Sequence, residues 1–306
     1  WGGRSVIGNT TTGNTLTVSG TNHQDIYGGW TAGTGTSAAA KFDSTANTVN
    51  LQNGTVRTIY GGFTAAQSGN AAGNKVNISG GTATGTVYGG FLSHAAATGS
   101  ATGNIVTITG GTMADVYGGF SAGAGATTGN TVNLGSESTA VTAGTTIGAI
   151  YGGSKATATG NTLNIYDSAT AANIVNFDEI HFHGTNHIAA GDTLLSLNGT
   201  GATTLDWTKL YVDGLDNVTA SATDDRIFTL LTNANNINFG ATYSATGTRG
   251  RIRSTDYEAD ITTDGNSATS QNVYLKGYRF QNNTASYAGG TATDAWGGRS
   301  RIGNKV

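Results

Sequence analysis

Residues 73–91 read Gly-Asn-Lys-Val-Asn-Ile-Ser-Gly-Gly-Thr-Ala-Thr-Gly-Thr-Val-Tyr-Gly-Gly-Phe and set two short patterns one after the other. In the first, Val76 and Ile78 alternate with Lys75 and Asn77. Period-two alternation puts the apolar pair on one face of a strand and the polar pair on the other. The second pattern is an apolar residue, a tyrosine, two glycines and a further aromatic, Val87-Tyr88-Gly89-Gly90-Phe91.

Both patterns recur along the chain. The first returns at Gly13–Val18, Gly103–Ile108, Gly129–Leu134 and Gly160–Ile165, and at 46–51 with Ala46 in place of the glycine. The second returns at Ile26–Trp30, Ile59–Phe63 and Val116–Phe120, with shorter aromatic-Gly-Gly forms at Trp1 and Tyr151. The repeat is about 26 to 34 residues long, the length of one solenoid coil. One coil of short strands cannot bury its inward face, but stacked coils can, each adding a rung to continuous parallel sheets about 4.8 Å apart. The expected fold is all-β: a parallel β-helix (β-solenoid) of short stacked strands, with irregular β-coils in the C-terminal half.

The recurring polar residues have structural uses in such a stack. The asparagine of each Gly-Asn pair aligns from coil to coil, so that side-chain amides can hydrogen-bond along the axis as a ladder. The glycine before it suits the bend ahead of each strand. The Gly-Gly pair is expected to turn the chain at another corner, and the aromatics beside it to stack in a row.

Composition supports this reading. The chain of 306 residues has 49 Gly, no Pro, no Cys and a single Met, and only 11% of it is charged. Low charge with moderate apolar content is unlike a solvated disordered chain. The net charge of −3 shows no basic excess, so nucleic acid is not an expected partner. Without Cys there are no disulfides and no thiolate metal sites. No apolar run reaches membrane-spanning length, so no membrane insertion is expected within this stretch, and no signal peptide is read at residue 1, which falls inside a motif.

After about residue 166 the pattern changes. Residues 1–165 carry nine charged side chains, and the other 24 of the 33 lie in the last 141 residues. Tyr-Gly-Gly disappears, while strand-like segments persist at Ile174 to Phe182, Thr193 to Leu197, Lys209 to Val212, Arg226 to Leu231, Ile237 to Phe239 and Asn272 to Lys276. The chain therefore divides into a regular repeat solenoid (1–166), variant β-coils continuous with it (167–290), and the start of a further repeat resembling residues 1–11 (291–306).

That last resemblance is close. Residues 1–9 and 296–304 match at eight of nine positions, at a spacing of 295. Solenoids ordinarily need capping segments against end-to-end growth, and neither end contains a helix-like stretch or a charge cluster. Axial continuation is expected, through copies of the chain stacked end to end or through adjacent modules of a longer chain.

The repeated coils of 1–165, of the form Gly-Asn-Thr-Val-Asn-Ile-Ser-Gly-Gly-Thr followed by Val-Tyr-Gly-Gly-Phe, resemble the passenger regions of bacterial autotransporters and related large surface adhesins. The segment Gly160 to Leu197 resembles the stretch that follows such repeats. The resemblance implies a β-solenoid at the bacterial cell surface or outside the cell, with a structural or adhesive role and a host or glycan ligand in the adhesive case. One departure is that the end of the sequence lacks the alternating strands of a membrane barrel.

Few residues suggest chemistry. Asp178-Glu179-Ile180-His181-Phe182-His183, with His187 nearby, puts Glu179, His181 and His183 on one strand face, where three such side chains can hold a divalent metal. The plainer reading is a polar outer face, and it is preferred because spacing fixes no further ligand. A carbohydrate-active β-helix would need paired acids. Asp25, Asp43, Asp115 and Glu137 are scattered, Asp224-Asp225 are adjacent, and Asp256, Glu258 and Asp260 alternate along one strand. The last three read most simply as an ion-pair ladder with Arg249, Arg251 and Arg253. Gly289 to Asp294 is a lone partial match to a calcium-binding repeat. No catalytic residue, cofactor or metal is assigned, and a structural protein is expected rather than an enzyme.

Overall fold

The computed structural model describes residues 2–5, 10–21, 24–33, 42–155, 158–214, 226–243, 251–252 and 257–279. They form an all-β, parallel stacked β-solenoid of about seven turns, 56% of it strand. None of its helices is long and apolar enough to cross a membrane. The Gly-Asn strands stack as one column, among them Thr48–Leu51, Lys75–Ala83, Ile105–Met113, Thr131–Leu134 and Thr162–Ile165. Their register is constant: Val49, Val76, Val106, Val132 and Leu163 sit over one another, as do Leu51, Ile78, Ile108, Leu134 and Ile165. All of these are buried. Each fully buried Val, Leu or Ile contributes about 1.5–3 kcal/mol relative to exposure, an upper bound against a compact unfolded chain. The Tyr-Gly-Gly strands make the second column, and a separate three-stranded sheet joins Thr11–Thr12, Ser44–Thr45 and Ala71–Ala72.

The asparagine ladder lies inside the coil. Asn74 donates its backbone N–H and its side-chain Nδ2 to Asn104 Oδ1, both at 3.0 Å. The same pair of hydrogen bonds runs from Asn47 to Asn74, from Asn104 to Asn130 and from Asn130 to Asn161. Each Nδ2 gives its other hydrogen to a backbone carbonyl, as Asn104 does to Ala71 at 2.9 Å. The ladder is therefore satisfied although these side chains are wholly buried, the condition for a polar group in a core. It ends at Asp178, whose Oδ2 accepts from Asn161 N at 3.1 Å and whose Oδ1 pairs with Lys209 at 3.0 Å.

The glycine before each asparagine is left-handed, with φ of 64° at Gly73 and 62° at Gly103. Ala46 holds the same place at φ 53°. The Gly-Gly pair corrects the expectation of a corner turn. It lies within a strand, as in Val87–Leu92, and both glycines are buried while Tyr88 and Phe91 on either side are half-exposed. A Cβ on Gly90 would lie 2.4 Å from Asn104 Nδ2, and one on Gly89 would lie 2.4 Å from the Gly118 carbonyl. Close approach of the ladder and the next rung requires glycine here. The rings flanking the pair form two outer rows, with Tyr60–Tyr88 centroids 5.3 Å apart and Phe91–Phe120 centroids 4.9 Å apart.

The parallel register runs through residue 166 without a break. Thr162–Ile165 pairs with Glu179–His183, which pairs with Leu210–Asp213. Ile174 to Phe182, read as one segment, is two strands, Ala169–Val175 and Glu179–His183, separated by left-handed Asn176 at φ 58°. The two segments Arg226 to Leu231 and Ile237 to Phe239 belong to one strand, Arg226–Asn238, with Phe239 just past its end.

Beyond it one column goes on in parallel, Arg251 and Ile252 pairing with Tyr211 and Val212, while the column of Arg226–Asn238 meets a reversed chain. Thr269–Arg279 lies antiparallel on Arg226–Asn238, and Tyr257–Thr263 lies antiparallel on Thr269–Arg279. This hairpin covers the far edge of the last long parallel strand. Residues 291–306, including the 296–304 match and Gly289 to Asp294, lie outside the described residues.

Candidate functional site

The strand Glu179–His183 buries Ile180 and Phe182 and turns Glu179, His181 and His183 outward. The next coil then supplies a residue that spacing within the strand did not reveal. Register sets His181 beside Tyr211 and His183 beside Asp213. Asp213 Oδ2 lies 2.7 Å from His181 Nδ1, and Glu179 Oε2 lies 3.2 Å from His181 Nε2. Asp213 lies 30 positions after His183, so the coil period is the signal that leads to it.

His183 is held from the other side. Its Nε2 lies 3.1 Å from Asn164 Oδ1, and its ring stacks on Tyr166 with centroids 4.2 Å apart. Asn164 is oriented in turn, because its Nδ2 donates to Asn133 Oδ1 at 2.9 Å. Burial pushes the His183 imidazole below its ordinary value, outweighing the opposing pull of Asp213, so the ring is favoured neutral near pH 7. One nitrogen of each histidine and one Asp213 oxygen all lie within 4.8 Å of one another. A cavity of about 560 Å³ opens beside them, lined by His183, Asp213, Glu137, Gly184 and Thr185 among others. His187 joins the rim by a 3.2 Å contact of Nε2 with the Glu137 carbonyl.

The scattered acids of the regular half are tied between coils. Asp25 pairs with Arg57 at 2.6 Å, Asp43 Oδ1 accepts from Asn70 N and Nδ2 at 2.9 Å each, and Asp115 accepts from Ala149 N at 2.9 Å. Hydrogen bonding to Arg57 holds the Asp25 carboxyl below its ordinary range. Asp224, Asp225, Arg249, Arg253 and Asp256 lie outside the described residues, as do the side chains of Arg251 and Glu258. Asp260 is buried in the antiparallel hairpin.

Comparison with protein-family models, with curated proteins and with solved structures finds no match. The class that the fold defines is the parallel β-solenoid, a repeat architecture in which each coil contacts its neighbours along one axis.

Proposed function

We propose that this chain is a structural rod: a β-solenoid segment of an extracellular or cell-surface filament, continued axially by further coils of the same type stacked end to end. One observation carries the reading. The asparagine ladder and the core column run in register from coil to coil, and among the described residues neither is covered at its first rung, Asn14 and Leu16. Among the described residues nothing donates to Asn14 Oδ1, the acceptor that receives two donors at each later rung. Leu16 is half-exposed, whereas Val49 and Val76 in its column are fully buried. An added Gly-Asn coil would fill both. The surface setting goes with the resemblance to autotransporter passengers and belongs to the same proposal.

The outer ring rows favour a structural role over glycan capture. Sugar stacking needs open ring faces, and here the faces are spent on each other, as in Tyr117–Tyr151 at 4.3 Å and 4°. The test is sedimentation velocity with negative-stain microscopy across a concentration series. Rods that lengthen with concentration are expected, and Leu16→Lys, which puts a charge on the open edge, should stop them. Monodisperse compact monomers at every concentration would sink the self-association.

A further inference from the structure

We propose that His181, His183 and Asp213 form a binding site for a divalent transition metal of the zinc class, which ties two successive coils together just beyond the regular repeat. The ligand set favours such an ion. Two imidazoles and one carboxylate are the donors that zinc shares with copper, nickel and cobalt, while calcium and magnesium take oxygen cages. Ligand atoms around a tetrahedral ion with bonds of about 2.1 Å lie about 3.4 Å apart. The three donors already lie within 4.8 Å, so small side-chain rotations close the site.

The surroundings are those of a prepared ligand. A metal-bound histidine ordinarily gives its second N–H to a carbonyl, which fixes its tautomer. Asn164 offers that carbonyl to His183 Nε2, and the bond from Asn164 Nδ2 to Asn133 decides which end of the amide faces the ring. With the proton on Nε2, the neutral ring keeps a lone pair on Nδ1. Aromatic stacking holds both imidazoles, His183 on Tyr166 and His181 on Tyr211. Three protein ligands leave a position for water, and the cavity lined by Glu137 gives it room. At the His181 position of the preceding coils the column carries Thr107, Asn133 and Asn164, so the paired imidazoles are particular to this coil.

The competing arrangement is a metal-free clamp in which His181 bridges Asp213 and Glu179 through its two ring nitrogens. Zinc titration of the full 306-residue chain against a metallochromic indicator separates the two. One Zn²⁺ per chain is expected, with excess Mg²⁺ failing to displace it. His183→Ala and Asp213→Asn should each weaken binding at least about tenfold, and Asn164→Ala, which touches only the supporting shell, by about tenfold. His94→Ala, on a distant coil, should change nothing. At a fixed zinc concentration the unfolding midpoint should rise as far in His94→Ala as in the wild-type chain, and less in Asn164→Ala, His183→Ala and Asp213→Asn. Zinc uptake equal in the wild-type chain and in a His181→Ala/His183→Ala double variant would overturn the proposal, as would no uptake at all. Should the histidine variants lose their β-sheet circular dichroism, the near-isosteric Asp213→Asn decides: unchanged zinc affinity there overturns the site.

Discussion

Asn104 gives its backbone N–H and its side-chain amide to a single atom, Asn130 Oδ1, at 3.1 and 3.0 Å, while its own Oδ1 takes the same pair of bonds from Asn74. Each rung of the inner ladder thus depends on its neighbours on both sides. Replacing Asn104 by Ala removes the acceptor of the buried Asn74 N–H. An unmet buried donor costs about 1–3 kcal/mol, and the lost volume adds to it. Asn104→Ala should therefore lower stability by about 2–4 kcal/mol. Asn50 and Asn77 lie on the outward face of their strands and are half-exposed, and Asn77→Ala, which breaks the 2.8 Å bond between them, should stay within about 0.5 kcal/mol. Urea unfolding of the two variants distinguishes them, and equal losses would refute the burial argument.

Gly90 tests why the chain repeats Gly-Gly. A Cβ there would sit 2.4 Å from Asn104 Nδ2 and 2.5 Å from the Ala71 carbonyl, so neither the ladder nor the backbone can give way cheaply. Gly90→Ala should cost at least about 3 kcal/mol, at the upper end of overpacking. A loss below about 1 kcal/mol in the same urea experiment would mean that the strand can slide and that close approach is not the reason for the glycine.

Gly73 and Ala46 occupy the same left-handed position in consecutive coils, at φ 64° and 53°. A Cβ on Gly73 meets nothing within 4 Å, so only backbone strain opposes a side chain there. That strain is about 1–2 kcal/mol, and the stiffer unfolded chain returns about 0.4–1 kcal/mol of it. Gly73→Ala should destabilise by about 0.5–1 kcal/mol and Ala46→Gly should stabilise by a similar amount. Opposite shifts in the denaturant midpoint with unchanged slope are the expected result. Shifts of the same sign would show that the two corners are not equivalent.

Much of this architecture is legible in the sequence because its determinants are local and periodic. Val76 and Ile78 declare the inward face by alternation alone, and the recurrence of Gly73-Asn74 declares the stack. Other features depend on what lies one coil away. The need for glycine at 89 and 90 comes from Asn104 and Gly118, a packing relation that motif reading turned into a corner. Asp213 joins His181 and His183 only through register, and coil lengths of about 26 to 34 residues leave that register open until the turns between strands are known. The reversal at 269–279 is also hidden, since alternation in Asn272 to Lys276 is the same for a parallel and an antiparallel neighbour.

The tyrosine row gives a pH signature. Burial raises the phenols of Tyr60, Tyr88 and Tyr117 above their ordinary value, with the stacked neighbours Tyr27 and Tyr88 adding to the shift at Tyr60. A phenol is neutral when protonated, so a raised folded value means that the fold binds the proton more tightly than the unfolded chain does. The resulting stability is complete below about pH 10, the unfolded value, and is lost as pH climbs through the higher folded values. Spectrophotometric titration should therefore show a group of tyrosines ionising late, together with loss of β-sheet signal. Tyr88→Phe removes one ionisable group but keeps its ring in the stack, and should shift that alkaline transition upward. A single titration near pH 10 in the folded chain, with no late group, would mean that the row is solvated and contributes nothing to pH-dependent stability.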